Sequence, residues 1–212
     1  MIELGLKFTA AYLLGSVLGA LVLGRFRGGV DIRTFGSRNP GATNALRAQG
    51  FPFAAGVMFI DVAKGILPVA LLPALNIPGV GIDPLVSRDL IRYSVAAAAI
   101  LGHVYPLWHG FRGGKGGATA IGVLFVVAPS IALPAVVLWL AVIAITHYVG
   151  LATVSVAVAA PVYFGLTALP EEFGLFIFSA WVAAIITYTH RENLRRILAG
   201  TEHRANLLRM RR

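Results

Sequence analysis

The chain has 212 residues, of which 58% are hydrophobic and only 13% charged, with a net charge of +9 and a mean hydropathy of +0.80. These values exclude an ordinary water-soluble domain and point to an integral membrane protein whose excess basic residues must lie in its polar segments. With no cysteine present, disulfides and thiolate metal sites are excluded as well.

The first apolar segment runs from about Phe8 to Gly24. Its small residues suggest a leader, but Arg25 and Arg27 follow it instead of preceding it and no cleavage site stands out, so it is read as a retained helix. A polar segment follows, with Ser37, Asn39, Thr43, Asn44 and Arg47 inside eleven residues. That density of hydrogen-bonding groups exceeds what a connector needs, and Arg47 can hold a phosphate by two parallel bonds. Asn39-Pro40-Gly41 also suits a turn, with Thr43 or Asn44 as cap of the next helix, and both readings can hold together.

A second span is predicted from Phe51 to Leu75, with Asp61 and Lys64 at i and i+3, read as a structural ion pair facing the bundle. A third runs from Tyr93 to Trp108 and leads into Gly110-Phe111-Arg112-Gly113-Gly114-Lys115-Gly116-Gly117. A glycine-rich backbone around one lysine suits a phosphate, and a helix from Ala118 would add the positive end of its dipole. The spacing is not that of a P-loop, and nothing points to a nucleotide or to nucleic acid. A plain turn between two helices is the alternative.

Between Lys115 and Glu171 lie 55 residues without Asp, Glu, Lys or Arg, room for two or three spans. Basic residues concentrate in Arg25–Arg47, in Arg112 and Lys115, and in Arg191–Arg212, whereas Asp83, Asp89, Glu171 and Glu172 mark the other connections. Keeping the basic segments on one cytoplasmic side requires three central spans. The first of them, about Ala118 to Ala128, must be short or continue through Pro129. The last span, Phe173 to Thr189, precedes His190, Asn193 and Arg196, which share one face if that helix extends beyond the membrane. The expectation is therefore an all-α membrane protein of about seven helices, one domain over residues 1–212, with the N-terminus outside and the C-terminus in the cytoplasm. His103 and His109 are six apart and lack metal-ligand company, so no metal or cofactor is expected, and His103 is read as ordering the glycine loop.

Together the three polar segments resemble the PlsY family of acyl-phosphate glycerol-3-phosphate acyltransferases. The resemblance rests on Ser37-Arg38-Asn39-Pro40-Gly41-Ala42-Thr43-Asn44-Ala45-Leu46-Arg47, on Gly102-His103 with Gly113-Gly114-Lys115-Gly116, and on His190, Asn193, Arg196, Gly200 and Glu202. It extends to Asp61 and Lys64-Gly65 and to the family's seven helices with cytoplasmic motifs. Three departures stand out: Arg38 replaces a glycine, Gly117 a small aliphatic residue, and His147-Tyr148-Val149-Gly150 a run of basic residue, Tyr and serine. The first demands either a non-glycine backbone conformation or strain, and the last removes a hydroxyl.

The resemblance implies acyl transfer from acyl phosphate to the 1-hydroxyl of sn-glycerol 3-phosphate, giving lysophosphatidic acid and phosphate for phospholipid synthesis at a bacterial inner membrane. Arg47, Lys115 and Arg196 would neutralise phosphates, and Gly113, Gly114, Gly116 and Gly117 would wrap the acyl phosphate. Ser37, Asn39, Thr43, Asn44, His190 and Asn193 would bind and orient glycerol phosphate, with Ser37, Lys115, His190 and Asn193 catalytic. Asp61, Lys64, His103 and Glu202 would support the site. A transporter or channel for organic phosphates is the rival reading, weakened because all the anion-binding segments fall on one side of the membrane by parity. An acyl-CoA-dependent transferase is weakened by the absence of a His-x-x-x-x-Asp motif.

Overall fold

The computed structural model describes residues 1–205; the final arginines of the basic tail, Arg209, Arg211 and Arg212, lie outside the described residues. Among the described residues the regular structure is helical: α1 (Ile2–Gly15), α2 (Gly19–Phe26), α3 (Ala42–Gln49), α4 (Phe51–Leu71), α5 (Arg88–Val104), α6 (Gly117–Val127), α7 (Pro129–Thr146), α8 (Val149–Thr167), α9 (Phe173–Thr189) and α10 (Arg191–Leu198). Short 3₁₀ turns occupy Ile32–Thr34 and Leu107–His109. The chain packs as two compact units, Met1–Ala128 and Pro129–Arg212. The division comes where α6 stops and Pro129, which has no N–H to lose, starts α7.

The α4, α7 and α8 helices, and α5 together with the turn that follows it (Arg88–His109), are long and apolar enough to cross a membrane, and each of the bent pairs α1/α2 and α9/α10 qualifies when taken as one span, giving up to six. The seventh apolar segment, α6, has 11 residues, about 16 Å of helix against a hydrocarbon core of about 30 Å. It does not continue through Pro129. Leu133, Ile145 and Leu166 are more than two-thirds exposed, as lipid-facing side chains on spans are. The α5 helix starts earlier than its apolar residues suggest, because Ser87 caps it by accepting from the Leu90 N–H at 3.1 Å. It stops at Val104 because Pro106 disfavours helix in the residue before it.

In the first unit α1 packs on α5 and α4 on α6. Both pairs approach closely through glycine: a methyl on Gly15 or Gly102 would strike the facing backbone of α5 or α1, and one on Gly65 or Gly122 that of α6 or α4. At the N-terminal end of α1, Glu3 pairs with Lys7 and Arg88, both at 2.7 Å, and Lys7 also donates to the Pro73 carbonyl at 3.0 Å. Helix, loop and α5 are thereby tied together.

The sequence suggests one unbroken helix from Phe8 to Gly24, but the chain bends by 47° between α1 and α2 with no proline at the break. The residues that hold it open are remote in sequence. Lys64 on α4 donates to the Val17 carbonyl at 2.6 Å, and Asp61 accepts from the Gly19 N–H at 3.3 Å. The two charges pair at 2.9 Å, and Asp61 and Lys64 are 1% and 6% exposed. A break inside apolar surroundings orphans backbone groups, and here an ion pair from the neighbouring helix satisfies two of them.

Candidate functional site

The first polar segment is built downward onto an apolar floor of Ala20, Ile32, Ala45, Phe53, Ala54 and Val57. Asp31 turns the chain by accepting from the Arg33 N–H at 2.9 Å while pairing with the Arg33 guanidinium at 2.7 Å. That pairing holds the Asp31 carboxyl below, and the Arg33 guanidinium above, its ordinary range. The loop is then locked by Asn44. Its side-chain amide donates to the Ile32 carbonyl at 2.9 Å and the Phe35 carbonyl at 3.1 Å, and its Oδ1 accepts from the Ser37 N–H at 3.2 Å.

Two expectations change as a result. Asn44 is 2% exposed with its amide already engaged, so it braces the loop instead of presenting itself to a ligand. Nor do Thr43 or Asn44 cap α3; Gly41 is the cap residue and both lie in the first turn. Helical geometry sorts the segment: Asn44 and Ala45 turn inward, while Thr43 and Arg47, one turn apart, share another face. Arg47 is exposed and makes no ion pair among the described residues. Ser37 is exposed, and Asn39 packs its side chain beside Gly41, where a methyl would meet it. Arg38 takes the strained option, a left-handed backbone with φ of 59°.

The glycine segment does not aim all its N–H groups outward. Gly113 donates to the Val104 carbonyl at 3.1 Å and Gly114 to the His103 carbonyl at 3.0 Å, so both finish the C-terminus of α5. They must be glycines because a Cβ on Gly113 would strike the His103 carbonyl and one on Gly114 the His103 ring at Nε2. His103, 3% exposed, thus fills the space beneath the loop, its Nδ1 3.6 Å from Asp61 Oδ1. Gly116, with φ of 86°, makes the left-handed turn into α6. The N–H groups of Gly117, Ala118 and Thr119 then head that helix, in its first turn, where no intrahelical carbonyl can serve them. Lys115 stands immediately before, half-buried. The N–H groups of this segment without an intrahelical carbonyl are therefore those at the start of α6, beside Lys115, whereas those of Gly113 and Gly114 are engaged by α5.

The third motif lies in the second unit. The chain bends by 58° between α9 and α10, so the last span does not simply run on into solvent. His190 sits at the bend, 7% exposed, with its Nδ1 2.8 Å from the Ile186 carbonyl. A carbonyl can only accept, so Nδ1 carries the hydrogen and Nε2 is the lone-pair nitrogen of the neutral ring. Glu202 accepts from Asn193 Nδ2 at 2.7 Å and from Arg196 Nε at 2.6 Å. Gly200, with φ of 70°, lets the chain turn back behind α10 to bring Glu202 there. Gly150 on α8 packs against Asn193, whose Cβ would lie 2.9 Å from a methyl at that position; the hydroxyl absent there is replaced by room for Asn193. Among the described residues no group of three or more His, Cys, Asp or Glu side chains is arranged to hold a metal ion.

A family model described as "Glycerol-3-phosphate acyltransferase" matches residues 6–200. The chain belongs to that family. A glycerol-3-phosphate acyltransferase of Aquifex aeolicus is 39% identical over 194 residues, covering 92% of this chain and 95% of the relative. One from Shewanella sediminis is also 39% identical, over 197 residues, covering 93% and 92%. Among solved structures, PlsY (YgiH), described as an integral membrane glycerol 3-phosphate acyltransferase in its glycerol 3-phosphate form, superposes with a TM-score of 0.82 at 34% identity, covering 97% of each chain. Its lysophosphatidic acid form gives 0.80 at 33% identity, covering 98% of this chain and 97% of that one. Membership extends to the membrane: this is a multi-pass, all-helical member of an integral membrane family.

Proposed function

We propose that the protein transfers a fatty acyl group from acyl phosphate to the 1-hydroxyl of sn-glycerol 3-phosphate, forming lysophosphatidic acid and inorganic phosphate. The observation that carries the reading is the solved relative, described in a glycerol 3-phosphate form and in a lysophosphatidic acid form, together with Arg47 exposed on α3 and Lys115 at the head of α6. Arg47 and Lys115 neutralise phosphate oxygens, with the N–H groups at the start of α6 adding fixed positive dipoles. The third motif's His190, Asn193 and Arg196 orient glycerol 3-phosphate. Equal amounts of lysophosphatidic acid and phosphate should form when purified protein receives both substrates; phosphate release without the lysophospholipid would overturn the reading.

The acceptor hydroxyl attacks the acyl carbonyl carbon, the bond from that carbon to the phosphate oxygen breaks, and the proton leaves with the phosphate. Acyl phosphate is already activated and its own oxygen can take that proton, so His190 positions the acceptor instead of acting as general base. A true base contributes roughly 10²- to 10⁴-fold. The profile of kcat from about pH 5.5 to 9, bracketing a histidine pKa, is therefore expected to keep its shape in His190→Gln. A rise near the histidine pKa that vanishes in the variant would make His190 the base.

The three motifs and the C-terminus are assigned to the cytoplasmic side of a bacterial inner membrane, and the N-terminus to the outside. The lack of native cysteine gives a clean background for testing this. Cysteines replacing Thr34, Phe111 or Thr201 should resist an impermeant thiol reagent in intact cells, while one replacing the exposed Ile82 should react. Labelling at Thr201 would reverse the assignment of the tail.

A further inference from the structure

Beside the two motif loops of the first unit lies a cleft of about 680 Å³, lined by Arg33, Arg38, Pro40, His109, Arg112 and Gly113. Its three guanidinium groups are not equivalent. Arg33 is held by Asp31 through Nε at 3.0 and 3.1 Å and through a terminal nitrogen at 2.7 Å, which leaves that pair close to neutral. Arg38 and Arg112 are exposed, and neither forms an ion pair among the described residues. The cleft thus presents a net charge near +2 on groups that grip tetrahedral oxyanions by paired N–H bonds.

The backbone that presents these arginines is unusual. Arg38 is itself left-handed, and Arg112 follows the left-handed Phe111, each with φ of 59°. For residues with a side chain this costs roughly 1–2 kcal/mol, and such strain gathers where a site needs a side chain in one place. Exposed aromatic residues neighbour the lining residues in the chain: Trp108 precedes His109, Phe111 precedes Arg112, and Phe35 lies between Arg33 and Arg38, with exposures of 60%, 56% and 48%, and such residues favour the headgroup level of a bilayer. Solvated arginines on a plain surface would need neither the cleft nor the strain.

We infer that this cleft is a second phosphate subsite, separate from the contacts of Arg47 and Lys115, which takes the dianionic head of a phosphate monoester. The charge fits a dianion, the volume leaves room for what the phosphate is attached to, and the border of Pro40 and Gly113 places it next to both motif loops. The head could belong to a soluble ester or to a lipid. In either case the subsite concentrates phosphate ester beside residues that, on the reading above, handle the reaction.

Calorimetric titration of inorganic phosphate into the full-length protein in phosphatidylcholine nanodiscs tests this. Wild type should show two binding events, and the double variant Arg38→Gly, Arg112→Gln should lose one while keeping the other. Glycine suits the backbone at position 38, so the single variant Arg38→Gly should fold at least as well and still weaken that event about tenfold, as loss of a charge-assisted contact does. A single event in wild type, or two unchanged events in the double variant, would overturn the inference. Adding a minor fraction of phosphatidic acid to the discs identifies the source: suppression of the second event assigns the cleft to a lipid headgroup, persistence to a soluble ester. Wild-type formation of lysophosphatidic acid is followed in parallel, so failure of the proposed activity and failure of the subsite are read independently.

Discussion

Lys64→Met should lower stability by about 3–5 kcal/mol, the usual cost of removing one partner from a buried ion pair. The loss has two parts. Among the described residues Asp61 keeps only the Gly19 N–H at 3.3 Å and His103 at 3.6 Å as polar neighbours for a buried carboxylate, and the Val17 carbonyl loses its donor. Asp61→Asn, Lys64→Met should be less damaging than the sum of its single changes, because no uncompensated charge remains. Thermal unfolding of the detergent-purified variants checks this. A Lys64→Met protein as stable as wild type but impaired in turnover would make Lys64 a substrate contact instead of a brace of the α1/α2 break.

Arg47→Ala and Lys115→Ala should each reduce kcat/KM at least tenfold while leaving expression intact. A charge-assisted contact to phosphate is worth about 1.5–3 kcal/mol, and α3 is fixed from its other face by Asn44 and Ala45, so truncating the outward Arg47 leaves the scaffold alone. Arg47→Lys should rescue only in part, because an ammonium group cannot make the paired contact. Near wild-type kinetics in either alanine variant would remove that residue from the site. The two positions differ in what surrounds them: Arg47 projects from an exposed helix face, whereas Lys115 precedes a helix N-terminus whose dipole shares the anion.

Much of this was legible in the sequence because the relevant signals are local. Apolar runs gave the spans, with α9 falling on Phe173–Thr189, and the three motifs could be recognised as strings of residues. What escaped were features set by contacts across the fold. No residue between Gly15 and Gly19 announces a bend; the reason for it is Asp61 and Lys64, more than forty positions away. Asn44 has the chemistry of a ligand, and only the course of the loop shows its amide bound to Ile32, Phe35 and Ser37. Gly113 and Gly114 suggest a phosphate cradle by composition, but Pro106 ends α5 early enough that their N–H groups are drawn to its last carbonyls. The His190 bend is similar: three polar residues at helical spacing imply a continuing helix, while the Nδ1 contact to Ile186 closes α9 and starts α10 in a new direction.

Arg38 shows the reverse case. The resemblance implies a glycine at its position, and the two possible outcomes, a changed backbone or a strained one, could be stated beforehand. The left-handed φ of 59° selects the second. A side chain retained there at that cost gives the cleft beside it a reason to exist.

The central claim, that acyl phosphate and not acyl-CoA supplies the acyl group, is tested most directly by offering purified protein glycerol 3-phosphate with each donor at matched chain length. On the proposed reading Lys115 and the N–H groups at the head of α6 form a compact phosphate site, and no adenine-binding feature accompanies them in the sequence. Lysophosphatidic acid should therefore form with acyl phosphate and only at background level with acyl-CoA. Comparable turnover with both donors would contradict the account.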